Sequence, residues 1–233
     1  MLNINSKRML TDWELKKVSR DLLEESRDKF RGIPHDKFLE TFYSICDRKN
    51  IKYSNVNHFV WDGFYNLCIT ADIKSSLGVK YSDYQPRICI TAINTHNKSL
   101  SLYGGVMKSD VCMVPFKNTL RRTNNLDKFK LELENGLSEM EILLDYQLKT
   151  IIDKAKMKLV SDSALHYLLL NAGAAGVLAW NQVGKIFTRT QKKASLSTEA
   201  LLFMQSEEVR IKQNRPRYQL ESMYHFYNLA IRS

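Results

Sequence analysis

The chain has 233 residues, 44% hydrophobic and 26% charged, an ordinary soluble composition long enough for one large or two small domains. Nine Gly and four Pro leave no long low-complexity tract, and no run nears the roughly 20 apolar residues that a membrane span needs. The formal charge of +10 is uneven, because residues 184–233 hold nine Lys/Arg against four acids and so carry half of it.

A basic surface attracts polyanions through counterion release and long-range steering, so nucleic acid is the leading partner class. The opening MLNINSKRML lacks the apolar core of a secretory signal. A soluble, cytoplasmic protein with no membrane partner is therefore expected.

Thr11 followed by Glu14 is a capping-box pattern, and Trp13, Val18, Leu22 and Leu23 predict an apolar helix face reaching about residue 30. Gly32 and Pro34 interrupt the chain. A second helix is predicted from about Asp36, with Phe38, Leu39, Phe42 and Ile45 at helical spacing. Acids are mixed among the bases of both helices, which predicts packing rather than groove reading.

Residues 55–115 turn β-branched and aromatic, and predict strands at 56–61, 64–73, 86–94, 99–107 and 111–116. Thr95–Lys98 is the predicted turn of a hairpin. Beyond it Leu100, Leu102 and Val106 face a core while alternate residues face water. The Gly104–Gly105 pair predicts a bulge or a strand end. Cys46, Cys68, Cys89 and Cys112 lack the close CxxC or HxxxH pair that structural zinc uses, so reduced, buried thiols are expected.

Helical periodicity returns over 124–159. Leu133, Leu137, Met140, Leu144, Leu148, Ile151 and Ala155 form one apolar stripe, with Gly136 marking a break near its start. A further helix begins at Ser161 or Asp162 and runs through ALHYLLLNAGAAGVLAW. Its small-residue string Ala172–Gly176 either admits another backbone closely or divides two helices. The last helix follows Pro216, and its aromatic residues are assigned to the core. The sum is an α+β fold, a small antiparallel sheet of four or five strands packed against N- and C-terminal helices. It is read as a single domain over 1–233, with helices in 1–50, a β-rich part in 51–116 and a helical, C-terminally basic part in 117–233.

Three basic stretches hold the candidate contacts. Residues 116–130 contain Lys117, Arg121 and Arg122; residues 180–193 interleave Trp180 and Phe187 with Lys185, Arg189, Lys192 and Lys193; residues 209–218 contain Arg210, Lys212, Arg215, Arg217 and Tyr218. Cations along a phosphate track with aromatic faces for stacking are what single-strand binding requires. The cations would neutralise phosphates, and Trp180, Phe187 and Tyr218 would stack.

No enzyme is expected, and no cofactor. There is no GxxxxGK[ST], no GxGxxG after a strand and no GxSxG. His58 and Asp62 are the one pair worth a metal-site test, and Asp62, Asp72, Asp83 and Asp110 could hold a divalent ion only if the fold converges them.

The segment AINTHNKSLSLYGGVMKSDVCMVPFKNTL resembles a large family of phage- and plasmid-encoded proteins of unknown function, through Cys112 and Asn118–Thr119–Leu120. Here Met113–Lys117 separates residues that the family keeps close. The closing LESMYHFYNLAI is similar to the family's late helix, with Asn228 and Ala230 set apart by Leu229. The resemblance covers about residues 88–230. It implies a phage setting and DNA transactions, and by size and charge a podovirus-type single-stranded DNA-binding protein that recruits an RNA polymerase. It transfers no catalytic residue. The expected function is thus single-stranded DNA binding in replication, recombination or transcription. The alternatives are an interaction protein that seizes an acidic host protein or a polymerase, and a metal-dependent nuclease.

Overall fold

A computed structural model describes residues 8–25, 33–61, 66–74, 77–93, 100–109, 111–121, 125–191, 193, 195–212 and 216–232. Strand β1 (Arg8–Met9) and helices α1 (Asp12–Glu25) and α2 (His35–Lys49) precede strands β2 (Tyr53–Trp61), β3 (Asn66–Ile73), β4 (Gln85–Ile93), β5 (Leu100–Lys108) and β6 (Val111–Leu120). Helices α3 (Leu126–Tyr146), α4 (Leu148–Met157), α5 (Asp162–Ala174), α6 (Trp180–Thr190), α7 (Thr198–Lys212) and α8 (Pro216–Arg232) complete the chain. The fold is α+β. Its sheet takes the strands in sequence order, β1 through β6, as a meander in which the two-residue β1 adds an edge beside β2. The predicted turn at Thr95–Lys98 lies outside the described residues.

Contacts divide the chain into two compact units, one of Met1–Ser75, Pro86–Gly104 and Lys117–Ile142, the other of Ser76–Gln85, Gly105–Phe116 and Leu143–Ser233. In the first, the capping box at α1 forms as its sequence predicts: Glu14 Oε2 accepts from the Thr11 backbone at 2.9 Å, and Thr11 Oγ1 accepts from the Glu14 backbone at 3.3 Å. The apolar face behind it holds in part: Val18 is buried as predicted, Trp13 is not, and the side chains of Leu22 and Leu23 lie outside the described residues. Trp13 is 70% exposed, and Leu15 and Val18 point inward, because the buried face falls at i and i+3 behind the cap. Phe38, Leu39, Phe42 and Ile45 of α2 are all buried, and the Phe38 ring lies 4.8 Å from that of Phe129 on α3.

The sheet of this unit is pinned by one polar pair. Asp72 and Arg87 are register partners on β3 and β4, and Arg87 Nε donates to the buried Asp72 carboxylate at 2.6 Å. Asn55, in the left-handed region at φ 48°, donates to the other Asp72 oxygen at 2.8 Å from an irregularity in the β2–β3 register. A buried carboxylate persists only when paired and hydrogen-bonded in this way. Gly136 is no break, and α3 runs through it. A Cβ there would sit 2.7 Å from Leu120 Cδ2, so glycine is the residue that admits Leu120 against the helix.

Strand β5 also departs from expectation. Leu100, Leu102 and Val106 are buried as predicted, but so are Ser101 and Tyr103, so the strand is covered on both faces rather than alternating. It continues through Gly104–Gly105 without ending.

In the second unit the long stripe continues as Leu144, Leu148, Ile152 and Ala155, with Ile152 taking the buried place expected of Ile151. Ser161 caps α5 by accepting from the Ala164 backbone at 3.3 Å. Lys158 donates to the carbonyls of Ala230 and Ile231 at 3.3 and 3.0 Å, a cation placed on the C-terminus of α8.

All four cysteines are free; Cys46, Cys68 and Cys89 are buried and Cys112 is half-buried. Burial pushes the Cys46 and Cys89 thiols up to about 12, and the Tyr43 and Tyr227 phenols likewise to about 12. Each group is thus held neutral by folding, whereas the unfolded chain ionises near the ordinary 9 for thiols and 10 for phenols. The stability this contributes is fully present below about pH 9 and is lost as pH climbs toward 12. Denaturant midpoints are expected to stay level between about pH 7 and 8.5 and to fall steadily above pH 9; a midpoint unchanged at pH 10.5 would contradict this burial.

Candidate nucleic-acid interface

Helix α5 ends in a double-bonded reversal. Val177 N–H donates to Ala172 at 2.9 Å, Gly176 N–H donates to Gly173 at 3.1 Å, and Gly176 takes the positive φ of 67° that such an end requires. The chain turns back after it into α6, whose first turn is closed by Gln182 Oε1 accepting from the Ala179 backbone at 2.9 Å. The small-residue string is therefore a helix division, and the close approach it permits is by a ring. A Cβ on Gly173 would lie 2.8 Å from the Trp180 indole, so the ring rests on the α5 backbone. Further along the hairpin, the His166 and Phe187 rings meet at 4.9 Å.

The inward face of α6 is Gln182, Val183, Ile186 and Thr190, all buried. Asn181, Gly184, Lys185 and Thr188 are exposed on the same helix. Trp180 is held by Gly173 yet remains 59% exposed, and Tyr167 and Leu170 of α5 are exposed at 67% and 58%. The hairpin thus presents two exposed aromatic side chains together with a cation, Lys185, that makes no ion pair among the described residues.

The other predicted contacts fall into distinct environments. Phe187 is half-buried against His166 and anchors the hairpin. Arg189 donates to Glu207 at 2.7 Å and lies 3.5 Å from Glu208, so its charge is matched within the unit; the Glu207 hydrogen bond holds the guanidinium above its ordinary value. Lys193 is exposed at a cleft of about 380 Å³ whose lining includes Val111, Phe203, Met204 and Arg189. Arg217 reaches Glu221 at 3.7 Å. Tyr218 donates its hydroxyl to the Gly176 carbonyl at 3.3 Å, which ties it to the same α5–α6 turn that carries Trp180.

Lys117 and Arg121 belong to the first unit. Lys117, on β6, has its ammonium 6.0 Å from the Tyr103 ring, and Arg121 is exposed just beyond the strand. Arg122, Lys192 and Arg215 lie outside the described residues, as do the side chains of Arg210 and Lys212 on α7. Tyr167 is the residue that sequence patterning overlooked. The sequence held little signal for it: ALHYLLLN is apolar almost all round, a pattern that ordinarily marks burial and does not tell which residue faces out.

Of the candidate metal-site pair only His58 is among the described residues. His58 Nε2 meets Asp12 Oδ1 of α1 at 2.8 Å, and Asp62 lies outside the described residues. Asp72 is occupied by Arg87 and Asn55. No cluster of three or more His, Cys, Asp or Glu suited to a metal occurs among the described residues. No described helix is long and apolar enough to cross a membrane. Comparison with protein-family models, curated proteins and solved structures returns no match.

Proposed function

We propose that the chain binds nucleic acid, single-stranded DNA in preference to duplex, through the outer surface of the α5–α6 hairpin. The observation that carries this reading is Trp180, an indole fixed against Gly173 while more than half exposed. A side chain held in place and still open to solvent offers a π face without a large ordering cost, which is what a base needs for stacking. Tyr167 supplies a second exposed ring, and Lys185 an unmatched cation for the phosphate track. Both lie in the unit of higher charge, which holds 15 Lys/Arg against nine acids. Single strands are favoured because duplex stacking hides the base faces that Trp180 and Tyr167 would meet. A role in phage replication, recombination or transcription rests on the resemblance over residues 88–230 alone.

The ion pairs make the reading specific. Lys185→Gln is expected to weaken binding of a labelled oligo-dT several-fold at low salt and to reduce the salt slope by about one. Arg189→Gln, whose charge is already matched by Glu207 and Glu208, is expected to change affinity less than twofold. Equal losses from both variants would mean that net charge alone attracts the strand and that the hairpin is not its site.

A further inference from the structure

The outward face of α1, in the first unit, carries another exposed indole beside cations. The helix is fixed at its start by the Thr11–Glu14 box and along its length by the burial of Leu15, Val18 and Ser19. Ser19 Oγ also accepts from the Asp36 backbone at 3.1 Å, which ties α1 to the first turn of α2. Trp13 falls on the opposite side of the helix and stands 70% exposed. Lys16, Lys17 and Arg20 follow it by three, four and seven residues, the helical spacings that share one face, and all three are exposed. The Lys17 ammonium lies 6.0 Å from the centre of the Trp13 ring.

The acids of the first turn have partners elsewhere. Asp12 Oδ1 meets His58 Nε2 at 2.8 Å, and Glu14 Oε2 accepts from the Thr11 backbone at 2.9 Å and from its hydroxyl at 3.0 Å. Asp21 is exposed at the margin of the Trp13 face, and the side chain of Glu24 lies outside the described residues. Lys16, Lys17 and Arg20 enter no ion pair among the described residues. The mixed signs of the linear sequence are thus sorted by the helix, with acids at the cap and cations beside the indole. A large flat ring left in water and bordered by cations suits an occupant that is itself flat and anionic.

We infer that the outer face of α1 is a second contact surface for single-stranded nucleic acid, with Trp13 stacking on a base while Lys16 and Arg20 meet phosphates. Single-strand sites combine these two elements, an aromatic platform and cations along the backbone. Lys16 and Arg20 stand about 6 Å apart along the helix axis, which spreads their charge along a strand. An acidic protein segment would satisfy the cations and leave the indole without a flat partner. The ligand class rests on the reading proposed for the α5–α6 hairpin. The surface is separate from it, since Trp13, Lys16, Lys17 and Arg20 all belong to the first unit.

The chain holds three tryptophans, Trp13, Trp61 and Trp180, so fluorine NMR of the full chain labelled with fluorotryptophan reads each surface separately. Trp13→Phe and Trp180→Phe assign the resonances. Oligo-dT at low salt is expected to shift the Trp13 resonance saturably. The double variant Lys16→Gln/Arg20→Gln is expected to weaken that response several-fold and to lower its salt slope by about two. A response at Trp180 alone overturns the inference and leaves the hairpin reading standing. A response at Trp13 alone supports the inference and counts against the hairpin, and silence at both contradicts both. A Trp13 resonance that moves with poly-glutamate and not with oligo-dT overturns the inference in favour of an acidic protein partner. A Trp13 response unchanged in the double variant also overturns it. Circular dichroism on each variant separates a binding loss from a folding loss.

Discussion

Gly105→Ala is expected to destabilise the protein by about 3 kcal/mol, lowering its melting temperature by roughly 8 °C. A Cβ at this position would fall well inside contact distance of the Met113 carbonyl oxygen and 3.1 Å from Val114 Cα. Both obstacles are backbone on β6, so no side chain can swing aside, and β5 would have to move off its neighbour. Gly184→Ala on α6 is the matching control. Nothing lies within 4 Å of its Cβ position, and alanine in an exposed helix interior is expected to add about 1 kcal/mol of stability. Thermal melts of the two variants should therefore shift in opposite directions. A Gly105→Ala melt within 2 °C of the parent would mean that the two strands are not so closely apposed.

Trp180→Ala is expected to weaken oligo-dT binding by about one to two orders of magnitude, the loss that removing one base-stacking ring predicts. Trp180→Phe keeps a smaller π face and is expected to fall between the two. Gly173→Ala probes the same contact without touching the ring. Its methyl would meet the indole at 2.8 Å and force it off the α5 backbone. Binding should drop while the charge and the indole itself are unchanged. If Trp180→Ala binds as the parent does, the indole is only a packing element and the hairpin surface is not where bases stack.

The fold was legible wherever a local pattern carried it. The five long strands follow from β-branched runs with polar breaks, α1 from Thr11 and Glu14, and α5 from Ser161. Failures came where a distant partner decided the outcome. Gly136 looks like a helix break in one dimension, and only the approach of Leu120 explains it. Gly104–Gly105 suggests an interruption, yet Gly105 is there for the neighbouring strand. Alternation in β5 failed because burial on both faces is not encoded by a period of two.

The candidate site was legible to a lesser degree, and for a related reason. Counting cations finds Arg189 and Lys185 alike. Only three dimensions separate them, since Glu207 and Glu208 stand 18 and 19 residues from Arg189 in sequence. Trp180 was found as an aromatic among cations, while its seat on Gly173 is decided by the fold.

Fluorescence anisotropy with labelled single-stranded and duplex oligonucleotides of one sequence, at two salt concentrations and without divalent ions, tests the central claim most directly. The account predicts salt-sensitive binding in which the single strand is held more tightly than the duplex at both concentrations. Absence of binding to either oligonucleotide at low salt would contradict it.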